Sequence, residues 1–471
     1  MDVSKKAFSL NSFKNKLQAS IELAVFSMKK QQYIRYNKIG DKMVKIIGAG
    51  LAGVEAAYYL ANQNIKVKLY EMRPKKMTPA HQTGHFAELV CSNSLRSNDI
   101  HNAVGLLKYE MIEFNSLIMK AAVLAQVPAG SSLAVDRDIF SAFIEQEIKN
   151  HPNIEVIYDE VTSINPDEYT IISAGPLASE ALSEEISNLF HQDHLHFFDA
   201  IAPIIDASSI NMEIAYLKSR YDKGEAAYIN CPMNKEEYEA FYHALIESKK
   251  VEVKGFENNV FEGCMPVEVM AARGIETLLY GPLKPVGLEE DGKKRPYAVI
   301  QLRQDDAAKS MYNIVGFQTH LTWDEQKRVI RMIPGLENAN ILRYGVMHRN
   351  TYLESPKLLN SSYQTLMYPK LFFAGQISGV EGYVESAASG LNAAIQMSQL
   401  IKFNRLMPLP KDTMMGAMAH YISTPNASFV PMNANLGLFP GLEYKHSKKM
   451  RKELYAKRSL DSLKVYKEGL V

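Results

Sequence analysis

One stretch, Val44 to Glu71, VKIIGAGLAGVEAAYYLANQNIKVKLYE, restricts what this chain can fold into more than any other. A β-branched apolar run (Val44, Ile46, Ile47) meets a glycine turn, a small-residue helix follows, and a second apolar run (Val67, Leu69) ends in Glu71. This is the βαβ pattern of a dinucleotide-binding unit. Gly48 serves the tight turn, Gly50 leaves room for a pyrophosphate, and Gly53 lets the helix pack close to the strand. Amides at the positive end of that helix face the phosphates. Glu71, 18 residues beyond Gly53, is placed to accept a hydrogen bond from a ribose 2′-hydroxyl.

A chain of 471 residues holds two or three units of this size with ample core. The net charge of +1, with 22% charged residues, gives no overall nucleic-acid signature, so an RNA partner has to be held by local patches. The three cysteines, Cys91, Cys231 and Cys264, form no C-x-x-C pair, which suits a reducing, cytoplasmic setting and argues against a disulfide scaffold or a thiolate zinc site. No apolar run approaches the roughly 18 residues of a membrane span.

Residues 1–42 carry nine Lys or Arg against three acids and only a short apolar patch, and read as an upstream extension or a mis-assigned start, poorly ordered. Beyond Glu71 a loop with Pro74, Pro79 and Gly84 leads into a helix-like stretch for which Ser92 or Asn93 is the expected N-cap. That reading puts Cys91 just outside a helix N-terminus, where the dipole favours a thiolate; an inert core cysteine is the plainer reading. AVDRDIFSAFIEQEIKN reads as a helix capped by Asp136 or Asp138, and NIEVIYDEV and YTIISAGPLAS as further strands of a parallel sheet. The turn Ser173-Ala174-Gly175-Pro176 resembles the second glycine turn of flavoproteins, or is a simple strand-to-helix turn.

From about His196 to Tyr312 strand-like pieces alternate with helices such as KEEYEAFYHALIES, the pattern of an α+β insertion. Within it, FEGCMPVEVMAARG sets Cys264 before Pro266 and a helix that stops at Gly274, a second thiol at a helix N-terminus. Cys231 in YINCPM reads as structural. Near the C-terminus KLFFAGQISGVEGYVESAASGLNAA sets an apolar strand before Gly375 and a small-residue helix from Gly382 through Gly390. Paired with the first motif, this strand, glycine loop and helix fit the flavin end of an FAD site. The final residues, 442–471, carry nine Lys or Arg against four acids with Tyr444, Tyr455 and Tyr466 interleaved, either a solvated helix face or an RNA-backbone contact.

The strings GAGLAGVEAA, YEMRP, TPAH, FAELVCSNSLRS, VDRD, INCPM, FEGCMPVEVMA, IQLRQ, GFQTHL, RYGVMHRNTY, AGQISGVEGYVESAASGLNAA and FVPMNANLGL together resemble the folate- and FAD-dependent tRNA (uracil-5-)-methyltransferase family, TrmFO, related to the GidA flavoproteins. The resemblance runs from Val44 to about Leu438. It departs at Ser173-Ala174-Gly175, where the family usually has Ala-Thr-Gly, and at residues 1–42, which have no counterpart.

The resemblance implies an α/β fold, a Rossmann-like FAD-binding domain (43–195 and 313–441) interrupted by an α+β insertion (196–312) and followed by a basic tail (442–471). It implies FAD held by Gly48, Ala49, Gly50, Leu51, Ala52, Gly53, Glu71, Arg73, Gly375, Gln376, Gly382, Glu385 and Ser386. The co-substrates implied are 5,10-methylenetetrahydrofolate and NADH or NADPH, and the partner is an RNA, most simply tRNA, with ribosomal RNA as a variant. Cys264 is the expected nucleophile on uracil C6, where a thiolate makes C5 reactive, and Cys91 the second thiol. Arg96, Arg273, Lys284, Arg303 and Arg349 are candidates for anionic ligands, each with surface salt bridging as its plain alternative. His85, His320 and His348 are candidate proton carriers or structural histidines. A small-molecule FAD oxidoreductase and a non-catalytic flavin-binding RNA module are the readings from other classes.

Overall fold

A computed structural model describes residues 42–192, 195–223, 225–251, 265–290, 292–426 and 429–470, with backbone alone at 195–199, 348, 349 and 448. The extension over residues 1–41 and the nucleophile candidate Cys264 therefore lie outside the described residues.

The chain opens with β1 (Met43–Ile47), α1 (Leu51–Asn62) and β2 (Lys66–Glu71), the βαβ unit expected. β1 and β2 run parallel with Ile46 opposite Leu69. Next come β3 (Ser94–Ser97), α2 (Ala103–Ile112), α3 (Leu117–Leu124), β4 (Gln126–Val127) and β5 (Ser132–Val135), in which the three strands form a small antiparallel sheet in the order β3-β5-β4. In α4 (Arg137–Asn150) the Asp136 carboxylate accepts the amides of Asp138 and Ile139, which stops the first-turn donors from being orphaned. β6 (Ile154–Tyr158), β7 (Thr170–Ile172) and α5 (Glu180–Phe190, capped by Ser179) follow.

The second unit contains β8 (Leu195–Ala200), β9 (Ile204–Asp206), β10 (Tyr216–Leu217), β11 (Tyr228–Met233), α6 (Lys235–Glu247), α7 (Val267–Ala271), α8 (Thr277–Tyr280), β12 (Ala298–Gln304), β13 (Met311–Ile314), α9 (Trp323–Ile330), β14 (Ile341–Arg343) and β15 (Met347–Tyr352). Six of its strands form an antiparallel sheet, β10-β11-β12-β13-β9-β14, while β8 and β15 pair as a separate ribbon. Asn234 and Glu237 close a reciprocal capping box on α6. The apolar cluster of this unit runs from Ile205 to Ala339 and includes Ile314, Phe317, Leu321, Val329 and Ile333. Residue 312, the end of the insertion read from the change in pattern, falls within β13, and the packing continues to Ile341.

The chain then returns through α10 (Ser355–Leu358), β16 (Leu371–Phe373), α11 (Tyr383–Phe403), α12 (Met414–Tyr421) and α13 (Lys448–Gly469). β16 completes a five-stranded parallel sheet, β16-β7-β1-β2-β6. α11 is buried almost all round and lies against α1; a Cβ at Gly390 would stand 2.1 Å from the carbonyl oxygen of Ala52, so only glycine permits this approach. The basic C-terminal segment is helical and docked, with Tyr455, Ala456, Ser459, Leu463 and Tyr466 buried on one face. No helix among the described residues is long and apolar enough to cross a membrane.

Candidate functional site

In an open parallel sheet the ligand crevice forms beyond the carboxyl ends of the strands, where neighbouring connections leave in opposite directions. β1 is flanked by β2 on one side and β7 on the other, and a cleft of about 1020 Å³ opens at that place. Its lining runs from Glu71, Met72 and Arg73 past Gly48, Gly50 and Ala174-Gly175 to Gly375, Gln376, Tyr383 and Ser386.

The glycines divide the work as their surroundings dictate. Gly48 has φ of +101°, and a Cβ there would lie 2.7 Å from the Ser173 carbonyl oxygen. Gly50 has nothing within 4 Å of where a Cβ would stand, so its open side is the cleft itself. Gly53 faces inward, with a Cβ position only 1.8 Å from the Gly48 carbonyl oxygen. α1 has no side-chain N-cap and no acid in its first turn, which leaves its first amides and dipole directed at an anion. These features fit a pyrophosphate-bearing dinucleotide.

Glu71 is nearly buried and accepts the Ala49 amide at 2.9 Å, while the Arg73 side chain and amide both reach its other oxygen at 3.0 Å. Burial alone would raise its carboxyl, but the hydrogen bonds and charge of Arg73 outweigh that and hold it below the usual carboxylate range. Leu51, Ala52, Glu71, Arg73, Gly375, Gln376 and Ser386 line the cleft. Ala49, Gly53, Gly382 and Glu385 are not in its lining. Glu385 is instead buried behind the start of α11, where one oxygen accepts Arg96 Nη1 at 2.7 Å and the Ala434 amide at 3.0 Å. Burial pushes its carboxyl up.

Cys91 borders this cleft through its neighbour Val90. The helix expected to begin at Ser92 or Asn93 is absent: Ser94 and Ser97 pair with Ala134 and Ser132 in the small sheet, and the helix starts only at Ala103. The physical reason is Asn93. It is fully buried, donates to the carbonyls of Val135 and Gln304, and accepts from Arg303, so its side chain is spent on neighbouring strands rather than on a helix start. No helix therefore begins at Cys91.

Its surroundings are cationic instead. Arg137 donates to the Leu89 carbonyl, Arg343 to the Val90 carbonyl at 2.9 Å, and Arg303 to Ser92 Oγ and Asn93 Oδ1, each at 3.0 Å. Asp305 takes Arg137 through both oxygens, at 3.0 and 3.2 Å. Burial works against the charge of Arg137 and Asp305 more than offsets it, whereas burial lowers Arg303 and Arg343. The Cys91 thiol lies 3.8 Å from the Ala200 carbonyl oxygen, and the amides of Cys91 and Ser92 both donate to the Tyr383 hydroxyl. Burial, with Cys91 close by, raises the Tyr383 phenol above its ordinary value.

The remaining candidates are dispersed. Met265 and Val267, which follow Cys264, are buried, and the Val267 amide donates to Gln318 while Glu268 accepts Thr319 Oγ1 and the His320 amide. His320 Nδ1 lies 2.5 Å from Glu268 Oε1, a structural pairing. His85 pairs at the surface with Glu145, Arg273 is exposed, and the Lys284 carbonyl holds Arg220. His348 and Arg349 lie on β15, their side chains outside the described residues. Cys231 is buried mid-strand, its thiol pushed up to about 12 by burial, as a structural cysteine should be. No cluster of three or more metal-ligating side chains occurs among the described residues. Tyr383, Arg137, Arg343 and Asp305 were not among the candidate site residues of the sequence, although Arg137, Tyr383 and Arg343 stand inside strings that carry the resemblance.

Comparison with known proteins agrees with this architecture. The family model for glucose inhibited division protein A matches residues 43–404. The methylenetetrahydrofolate--tRNA-(uracil-5-)-methyltransferase TrmFO of Acholeplasma laidlawii is 67% identical over 427 residues, 91% of this chain and 100% of that protein. The protein of the same name from Exiguobacterium sibiricum is 58% identical, covering 90% of this chain and 99% of its own. Among solved structures, Aquifex aeolicus GidA superposes with a TM-score of 0.65 at 16% identity over 92% of this chain and 74% of that one, a likeness of fold. The chain belongs to the TrmFO family, within the wider glucose inhibited division protein A family.

Proposed function

We propose that this protein transfers a one-carbon unit from methylenetetrahydrofolate to C5 of a tRNA uridine in the T-loop, working in the cytoplasm with FAD reduced by NADH or NADPH. The observation that carries the reading is the junction of thiol and cleft: the Cys91 amide is bonded to Tyr383, whose side chain lines the dinucleotide cleft. Its near relatives bear the name of that reaction.

FAD would lie with its pyrophosphate over Gly48 and Gly50, its ribose by Glu71 and Arg73, and its ring end by Gly375, Gln376 and Ser386. When bound and reduced, FAD supplies the hydride equivalent that a methylene needs to become a methyl group. The protein's share of the chemistry falls to its thiols. Cys264 as thiolate forms a bond to uracil C6, which turns C5 into a nucleophile able to bond the folate-borne carbon; the bond from that carbon to the folate nitrogen breaks, and tetrahydrofolate is the leaving group. Cys91 takes the C5 proton, and the C6–S bond then breaks to return the Cys264 thiolate. The arginines about Cys91 favour the anion that such a base needs.

Transfer RNA containing 5-fluorouridine tests the division of roles, because fluorine at C5 blocks proton removal and leaves the RNA attached to the nucleophile. Wild type and Cys91→Ala are expected to trap RNA, and Cys264→Ala is not. Trapping by Cys264→Ala would end the nucleophile assignment. A small-molecule oxidoreductase would trap no RNA with any of the three.

A further inference from the structure

The loop Leu89–Asn93 is gripped on both sides of Cys91, and two of the three grips come from the antiparallel sheet of the other unit. Arg343 ends β14 and holds the Val90 carbonyl; Arg303 lies in β12 and holds Ser92 and Asn93; Arg137, at the start of α4, holds the Leu89 carbonyl. Arg137 is neutralised by Asp305. Arg303 and Arg343 make no ion pair with a carboxylate among the described residues, and Arg303 is 9% exposed. The other ionisable groups facing this loop are the Tyr383 hydroxyl and Glu88, and Glu88 is already engaged by Arg73 and by the amides of Gln82 and Thr83. Asp305 attracts both cations and Glu88 also attracts Arg343, yet burial outweighs this and lowers both; neutral donors would grip the same oxygens without that desolvation.

We propose that Arg303 and Arg343 are positioning residues that fix the Cys91 loop and supply the positive charge that keeps Cys91 a thiolate, so that the antiparallel sheet completes the thiol site of the nucleotide-binding unit. This rests on the reading of Cys91 as a working thiol. A guanidinium held to both flanks of the residue keeps the sulfur at a set place, and its charge takes over the part that a helix N-terminus plays in other thiol sites. The arrangement also makes the reactivity of Cys91 depend on the seating of β12 and β14 against the cleft.

The test is the rate at which iodoacetamide alkylates Cys91 in the full-length, FAD-loaded protein at neutral pH, read by mass spectrometry of the Cys91 peptide. Iodoacetamide is uncharged and reacts with the thiolate, so the rate follows thiolate fraction and access. Arg303→Met is expected to slow alkylation about 10-fold, the effect of a one-unit rise in the thiol pKa, while Arg303→Lys, which keeps the charge but loses the paired donors, is expected to fall between Arg303→Met and wild type. Ser92→Ala, which removes one grip and leaves the charge, serves as the mild variant and is expected to stay within about twofold of wild type.

A purely structural arginine gives the opposite sign, because loosening the loop exposes the sulfur: an unchanged or faster rate in Arg303→Met overturns the proposal. Should Arg303→Met fail to load FAD, Arg343→Met is read by the same criterion. A higher KM for folate with unchanged alkylation would assign the two cations to an anionic substrate instead and overturns it equally. Full methylation by Cys91→Ala would sink the underlying reading while leaving these rates as they are, so the two failures are distinguishable.

Discussion

The hydroxyl of Tyr383 accepts the backbone N–H of Cys91 at 2.6 Å across 292 residues of sequence. This bond, with a second from the Ser92 amide at 3.1 Å, ties the thiol loop to the first residue of α11, beside Gly375 and Gln376 in the lining of the cleft. Tyr383→Phe leaves both amides without that acceptor, so a loss of about 1–3 kcal/mol in urea unfolding is expected. Methyl transfer in single turnover is expected to slow about 10-fold, equivalent to 1.4 kcal/mol on the barrier. A Phe variant with wild-type turnover would show that the bond has no part in catalysis.

The glycine turn separates folding from cofactor binding. Gly50 has ordinary φ and open space where a Cβ would stand. Gly50→Ala should therefore leave the melting temperature of the FAD-free protein almost unchanged and weaken FAD binding about 10-fold or more, since the methyl occupies the pyrophosphate's approach. Gly48→Ala has to adopt a φ of +101° against the Ser173 carbonyl and should destabilise the FAD-free protein itself. Thermal melts with and without FAD distinguish the two.

Glu110 is fully buried, accepts the amides of Met414 and Met415 at the start of α12, and accepts the Ser459 hydroxyl from α13. Burial raises its carboxyl from 4.5 to about 7, and the same holds for Glu55 beneath the start of α3. A carboxyl so raised binds more protons in the folded chain than in the unfolded one between those values, so unfolding free energy falls as pH rises through that window. The slope of stability against pH is expected to be negative over pH 5–7 and shallower in Glu110→Gln than in wild type. Equal slopes in the two proteins would remove Glu110 as a source.

The docked C-terminal helix makes a different prediction from a flexible basic tail. Leu463 is 1% exposed and Val465 is 69% exposed on the same helix. Leu463→Ala should cost about 2–5 kcal/mol, whereas Val465→Ala should change stability by no more than about 0.5 kcal/mol. Chemical denaturation of the two variants reads this directly. A tail that contributes only charge would show neither loss.

The parts legible in sequence were those with a local period or a local motif. The βαβ unit, the capped helix after Asp136, the parallel strands at Ile154 and Thr170 and the strand before Gly375 all announce themselves within about a dozen residues. The stripe Tyr455, Ala456, Ser459, Leu463, Tyr466 has the spacing of one helical face and is buried in α13, although lysines and arginines dominate the composition around it. Cys91 was placed at a helix start because Ser92 and Asn93 are good caps. What overrides this local preference is Asn93 bonding to Val135, Gln304 and Arg303, contacts 42, 211 and 210 residues away. The grips of Arg137, Arg303 and Arg343 on the thiol loop are long-range in the same way, and no spacing in the sequence announces them.

The most direct measurement uses the FAD-loaded protein with NADPH, methylenetetrahydrofolate labelled in its one-carbon unit, and total RNA from cells lacking 5-methyluridine, followed by mapping of the label. Labelled 5-methyluridine is expected in the T-loop of tRNA, dependent on folate and reductant and lost in Cys264→Ala. Label confined to ribosomal RNA, or NADPH oxidation with no label in any RNA, would contradict it.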